Sequence, residues 1–149
     1  MVSLFYCGLA IMTSLSIPED RRGTMEDLLT YRSFDILVIG ALETHYDTAA
    51  VGAAGEQGVL QVMPDTTKWA DEYLTCKSNT NYNGACYYNH LVKYYKGDRE
   101  LAMAAYNSGP GRVNQYIKGG RPLPTITQKR LKDWRRLSRL KECKSEALQ

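Results

Sequence analysis

Apolar residues recur along most of the chain at spacings of three and four, and no run alternates strictly apolar and polar as a half-buried strand would. The pattern predicts an all-α or α-dominated fold. From Thr24 to Tyr31 it predicts a helix with Thr24 as N-cap and Glu26 and Asp27 in the first turn, where carboxylates suit the helix dipole. A second helix is expected over Ser33 to His45, with Ile36, Ile39, Leu42 and then Tyr46 forming one buried stripe and Glu43 beside it. Further helices are expected from Pro64 to Leu74, from about Ala85 to Tyr95 and from Arg99 to Tyr106, each bounded by Gly, Asn or a polar turn. The last, Thr127 to about Lys144, sets Leu131, Trp134, Leu137 and Leu140 among charges and reads as amphipathic.

The apolar stretch Leu4 to Ile17 is too short to span a bilayer, and no Lys or Arg precedes it as in a secretory signal. It is expected to pack on the domain or on a partner. No repeat, low-complexity segment or long linker interrupts the rest. At 149 residues and 44% hydrophobic content, one domain burying about two-thirds of its unfolded surface is expected.

Charge changes the picture only at one end. The formal net charge is +3, too small an excess to imply a nucleic-acid partner. Residues 129–149 carry eight basic and three acidic residues, net +5, which leaves −2 for residues 1–128. Such a run around an apolar stripe reads first as a solvated, packed helix. It could also attract anionic wall polymers, lipid head groups or an assembly partner.

Cys7, Cys76, Cys86 and Cys143 allow three pairings and match no zinc spacing, so no metal is expected. Cys76 and Cys86 bracket CKSNTNYNGAC, whose Asn and Gly content reads as a surface loop. A disulfide could close it; buried free thiols are the alternative.

Two local sequences carry chemistry. In ALETHYDTAAVGAAGEQGVLQVMPDT, Ala41 to Thr66, a helix presents Glu43 at its end and glycines at 52, 55 and 58 let the chain reverse closely, so that Gln61 and Met63 return beside it. In AMAAYNSGPGRV, Ala102 to Val113, a helix bearing Tyr106 and Asn107 stops at Ser108-Gly109-Pro110-Gly111, placing a polar pair at a cleft wall. Taken singly, a Glu at a helix end is usually solvated, and Met63 or Tyr106 would be core.

The order Glu, GxxGxxQxMP, AAYNxGPG, with GACYYNHL at 84–91 between, resembles the soluble lytic transglycosylase family with its goose-type lysozyme-like fold, over roughly Ser33 to Pro124. The resemblance implies that residues 1–32 are an apolar and helical lead-in and that 33–149 form a lysozyme-like catalytic domain ending in a basic amphipathic helix. It implies cleavage of the β-1,4 bond between N-acetylmuramic acid and N-acetylglucosamine in peptidoglycan, leaving a 1,6-anhydro end, with Glu43 as the one catalytic residue and no cofactor. Gln61, Met63, Tyr106 and Asn107 match positions lining the family's substrate cleft. A carboxyl that acts alone must start protonated, so the Glu43 pKa should be raised by burial, with Met63, Leu60 and Tyr106 as neighbours.

Departures from the family are Thr44 for the Ser that commonly follows the catalytic Glu, Gly52 where many members carry a substrate-contacting Ser, and Ile126-Thr127 with Arg130-Leu131 in place of a third motif. Asp47 could offer a second carboxylate if the helix continued, but Asp47-Thr48 reads as a turn and a local cap. His45 and distant His90 read as surface or satisfied histidines. The implied setting is the bacterial cell envelope or periplasm, reached by export or as a phage virion component. A small enzyme without wall-binding repeats suits local wall opening by a virion or by a secretion or conjugation apparatus, with the N-terminal segment or the basic helix as assembly contact. A goose-type hydrolase using water, and a non-catalytic virion or secretion-system protein of the same fold, are the alternatives.

Overall fold

The computed structural model describes residues 2–77 and 79–148. Ser78, within the polar stretch between Cys76 and Cys86, lies outside the described residues, as do Met1 and Gln149. Helices α1 (Val2–Ser14), α2 (Arg22–Leu28), α3 (Phe34–Thr44), α4 (Pro64–Tyr73), α5 (Thr80–Tyr94), α6 (Arg99–Ser108), α7 (Pro110–Gly119), α8 (Thr125–Ser138) and α9 (Lys144–Ala147) follow in order. The β structure among the described residues is two isolated bridges, Val51 with Gln57 and Gln57 with Val62. The fold is all-α, as the periodicity predicts.

Helix α3 is the axis of the molecule. Every residue from Phe34 to Ala41 is buried, because the helix is covered by α1, α2, α8 and α9. Its start is set locally, since the Ser33 hydroxyl accepts from the Ile36 amide at 3.1 Å. Its end is set by His45 and Tyr46, both left-handed. The Tyr46 ring is fully buried and its hydroxyl donates to the Leu37 carbonyl at 2.9 Å, locking the chain reversal that follows Glu43. Helices α5, α7 and α8 each pack against α6, and α8 joins that group to α3.

One carboxylate knits these layers. Asp35, at the start of α3, is 3% exposed and accepts from Arg99 Nε at 2.7 Å and Nη2 at 2.6 Å, from Trp134 Nε1 at 2.8 Å and from the Tyr88 hydroxyl. The Arg99 guanidinium also donates to the Ala147 carbonyl at 2.6 Å. Helices α3, α5, α6, α8 and α9 thus share one polar node.

Both disulfides form, Cys7 with Cys143 and Cys76 with Cys86. The first spans 136 residues and ties α1 to the turn before α9. In the chain-entropy account a loop of that length removes about 4–5 kcal/mol of freedom from the unfolded chain. The apolar N-terminal stretch packs on the protein itself, with Leu4, Cys7, Ile11 and Met12 in the core. No helix among the described residues is long and apolar enough to cross a membrane.

Several sequence expectations need correction. Thr24 does not cap a helix, because the chain already turns at Glu19–Arg21 and α2 begins at Arg22. The polar stretch after Cys76 is a loop only in part: the Asn79 side chain accepts from the amides of Asn81 and Tyr82 and starts α5 at Thr80. The Gly109-Pro110 break is both stop and start. Gly109 at φ +89° ends α6, and Pro110, with no amide hydrogen to satisfy, occupies the first turn of α7.

Removing the node's acceptor would leave the Arg99 charge without its counterion among buried side chains. Asp35→Ala is expected to lower unfolding stability by about 3 kcal/mol, the lower end of what breaking a buried pair costs. Urea denaturation at neutral pH measures it, and a loss under about 1 kcal/mol would rank the node with surface ion pairs.

Candidate active site

Glu43 stands on the last turn of α3, where the helix leaves the core, and its side chain is 18% exposed. The next residue fixes the wall opposite. The Thr44 hydroxyl lies 3.1 Å from the Gly40 carbonyl and 2.9 Å from the Val59 carbonyl, so it staples the helix end to the glycine-rich hairpin. It also accepts from the Asp47 amide at 3.3 Å. The hydroxyl retained at Thr44 therefore does structural work within the first of the two sequences read as functional, joining its helix end to its hairpin.

The hairpin closes through Gln57 and Val62, which exchange amide-to-carbonyl bonds at 3.0 and 3.1 Å, and through the Gly52 amide donating to the Glu56 carbonyl at 2.8 Å. The Gln61 side-chain nitrogen donates to the Ala50 and Gly58 carbonyls at 3.2 and 2.9 Å. That amide holds the reversal together, leaving only Oε1 for other contacts. Met63 follows as the exposed residue before α4, fixed by Pro64 in the first turn.

The second motif supplies the facing wall. The Tyr106 hydroxyl donates to the Leu60 carbonyl at 2.7 Å, and its ring packs against Tyr87 and Tyr88 at 5.8 and 6.1 Å between centroids. Asn107 accepts from the buried Thr127 hydroxyl at 2.7 Å, which turns its amide nitrogen toward Glu43. Around Glu43 a narrow pocket is lined by Ile39, Leu42, Met103, Tyr106, Asn107 and Arg130. Of the three neighbours expected from sequence, Tyr106 lines it, Leu60 reaches the site as the carbonyl that Tyr106 binds, and Met63 stands on the α4 side of the hairpin.

Arg130 is the residue that sequence reading assigned no role. Its Nη2 lies 3.7 Å from Glu43 Oε2, while Nη1 donates to the Leu42 carbonyl. The signal was faint: Thr127 and Arg130 sit one turn apart on α8, both polar, next to the apolar stripe through Leu131 and Trp134. Thr127 anchors Asn107 and Arg130 faces Glu43, so the segment departing from the family's third motif still contributes to the site.

Burial among apolar side chains pushes the Glu43 carboxyl above the usual carboxylate range; the Arg130 charge and the Asn107 amide pull it back down, and Glu56 pushes it up. Burial dominates, so the direction is that expected from sequence. Asp47 stands apart from this balance. It accepts from the Ala49 amide at 2.9 Å and pairs loosely with Arg21 at 4.0 Å, the local cap expected of it. His45 is exposed and its carbonyl accepts from Arg21 at 3.2 Å, and His90 packs edge-on against Trp69 with ring centroids 5.3 Å apart. No group of three or more His, Cys, Asp or Glu that could hold a metal ion occurs among the described residues.

Residues 31–127 match the family described as the transglycosylase SLT domain. The chain is 26% identical over 92 residues to the soluble lytic murein transglycosylase of Salmonella typhimurium and 25% identical over the same length to that of Escherichia coli K12. Each match covers 54% of this chain and 14% of the relative, so the matched region is about one-seventh of those proteins. Among solved structures, an inactive mutant of the lytic transglycosylase Slt from Pseudomonas aeruginosa superposes with a TM-score of 0.69 at 24% identity, covering 88% of this chain and 25% of that one. That likeness bears out the lysozyme-like fold.

Because Arg130 opposes the effect of burial, Arg130→Gln should move the Glu43 titration further upward. NMR titration of the Glu43 side-chain carboxyl, wild type against variant, measures it. A midpoint that stays put or falls would show that the guanidinium does not act on Glu43.

Proposed function

This chain belongs to the transglycosylase SLT domain family, and we propose that it cleaves the β-1,4 bond between N-acetylmuramic acid and N-acetylglucosamine in peptidoglycan, with Glu43 as acid and then base. The observation that carries this reading is the environment of Glu43: a carboxyl at the mouth of a helix, mostly buried, raised in pKa, and flanked by two groups that favour its ionised form. Those opposing influences suit a group that must hold a proton first and lose it within one turnover.

In the first step the protonated Glu43 gives its proton to the glycosidic oxygen. The bond from that oxygen to the muramic C1 breaks, the glucosamine leaves with a free C4 hydroxyl, and positive charge develops on the muramic ring. Glu43, now a carboxylate, is stabilised by Arg130 and Asn107. In the second step it takes the proton of the muramic C6 hydroxyl while that oxygen bonds to C1, closing the 1,6-anhydro ring and restoring the acid. No water is consumed, and no second protein carboxylate is needed as nucleophile, in contrast to the two-carboxylate scheme of most glycosidases.

Gln61, Met63, Tyr106 and Asn107 are proposed to line the substrate cleft. Tyr106 and Asn107 do so at the pocket wall, Met63 as an exposed apolar contact and Gln61 through its Oε1 oxygen. The compartment proposed with this activity is the cell envelope, where disulfides such as Cys7–Cys143 persist. Delivery there by export or as a virion component fits equally with the disulfides.

Glu43→Gln keeps the side chain's size but removes the transferable proton. It should lower the rate of turbidity loss of purified peptidoglycan by at least about a hundredfold, with the melting temperature near that of wild type. Mass spectrometry of the wild-type products should find ends lighter by one water than the hydrolysed species. Reducing ends in their place would assign water as the acceptor, and a wild type without activity would overturn the reading.

A further inference from the structure

The glycine-rich hairpin holds a second carboxylate whose position depends on a missing side chain. Between Gly52 and Glu56 the chain reverses tightly: the Gly55 amide donates to the Gly52 carbonyl at 3.0 Å, and Gly55 adopts φ +91°. The Glu56 side chain folds back over Gly52. A Cβ on Gly52 would stand only 1.5 Å from Glu56 Oε2 and 2.8 Å from Gln61 Oε1, so Glu56 fills the space that a residue 52 side chain would need. The Gln61 orientation is settled by its nitrogen, which donates to two carbonyls. Two acceptor oxygens therefore converge on one spot, and neither has a hydrogen-bond donor among the described residues. Both side chains are partly exposed, so a ligand can reach them. The Glu56 charge also acts on Glu43, which places the pair within electrostatic reach of the proposed catalytic acid.

We propose that Glu56 and Gln61 Oε1 form an acceptor pair that binds a donor of the glycan, an acetamido N–H or a ring hydroxyl, next to Glu43. This rests on the glycan-cleaving reading above and adds a charged specificity contact to it. Two acceptors side by side repel unless a donor lies between them, and a hydrogen bond to a charged acceptor is worth about twice a neutral one. Gly52 is the condition for the arrangement, since a side chain there and the Glu56 carboxylate cannot occupy the same space. Residues 52 and 56 are thus alternative sources of a polar group at one point.

The test uses the full chain, with soluble uncrosslinked glycan strands as substrate and melting temperature as the control for folding. Glu56→Ala should raise KM about tenfold, with a smaller change in kcat and an unchanged melting temperature. Gly52→Ser alone should also raise KM, because the hydroxymethyl group displaces the carboxylate. The double variant Gly52→Ser/Glu56→Ala should have a KM nearer to wild type than either single variant, since the serine hydroxyl then takes the vacated place, an effect that mere destabilisation would not produce. An unchanged KM in Glu56→Ala, or a double variant whose effect is the product of the two singles, overturns the proposal while leaving the cleavage reading intact. A wild type that neither binds nor cleaves the strands overturns both.

Discussion

The structure depends on burying one charge. Asp35 lies at the start of a helix that is buried from Phe34 to Ala41, and a carboxylate would be costly there without partners. Arg99 provides two bonds and the charge, Trp134 and Tyr88 one bond each. Burial and the adjacent carboxylate hold the Tyr88 hydroxyl well above its ordinary pKa, and the Asp35 bonds raise that of Arg99. Tyr88 therefore stays a donor and Arg99 stays charged. A buried pair is weak ground for net stability, because its desolvation cost can equal its attraction. It is strong ground for alignment, since four donors on three helices satisfy the carboxylate in one arrangement only.

That alignment reaches the site through α3 itself. Asp35 and Glu43 are eight residues apart on one straight helix, a rise of about 12 Å. Holding the first turn against α5, α6 and α8 therefore sets where the last turn emerges. The two carboxylates differ by environment. Asp35 is met by four hydrogen-bond donors inside the protein, whereas Glu43 has apolar walls, one guanidinium at 3.7 Å and one amide, too little to offset burial. A shortage of donors leaves the Glu43 carboxyl with a raised pKa, as the proposed proton carrier needs, and an abundance makes Asp35 a structural post.

Several features of this site were legible in the residues. Glu43 at a helix end, the glycines after it, and Tyr106 with Asn107 before a Gly-Pro break all stand in local sequence, and local rules place them. The helix starts at Ser33 and Pro64 likewise follow from capping chemistry. Gln61 was visible as a polar residue returning toward Glu43, but its nitrogen binds the hairpin's own carbonyls, which no spacing reveals. Helix α7 was missed because Gly109-Pro110 reads as a stop, though proline opens a helix as readily as it closes one. The start of α5 was missed because Asn-rich sequence reads as loop, although Asn79 caps the helix.

By itself the sequence determined the helical class, the central stripe of α3, the single carboxyl at its end and the family resemblance, all of which rest on periodicity and on motifs a few residues long. Only the tertiary structure decided which residues set the chemistry of that carboxyl. Arg130 comes 87 positions after Glu43 and meets it because α8 packs on α3. Thr127 orients Asn107 across the same contact, and Glu56 reaches back over Gly52 because no side chain is there to stop it. Such pairings arise from how helices and turns pack, and packing sums weak contacts over the whole chain, so it leaves no mark at the residues it brings together.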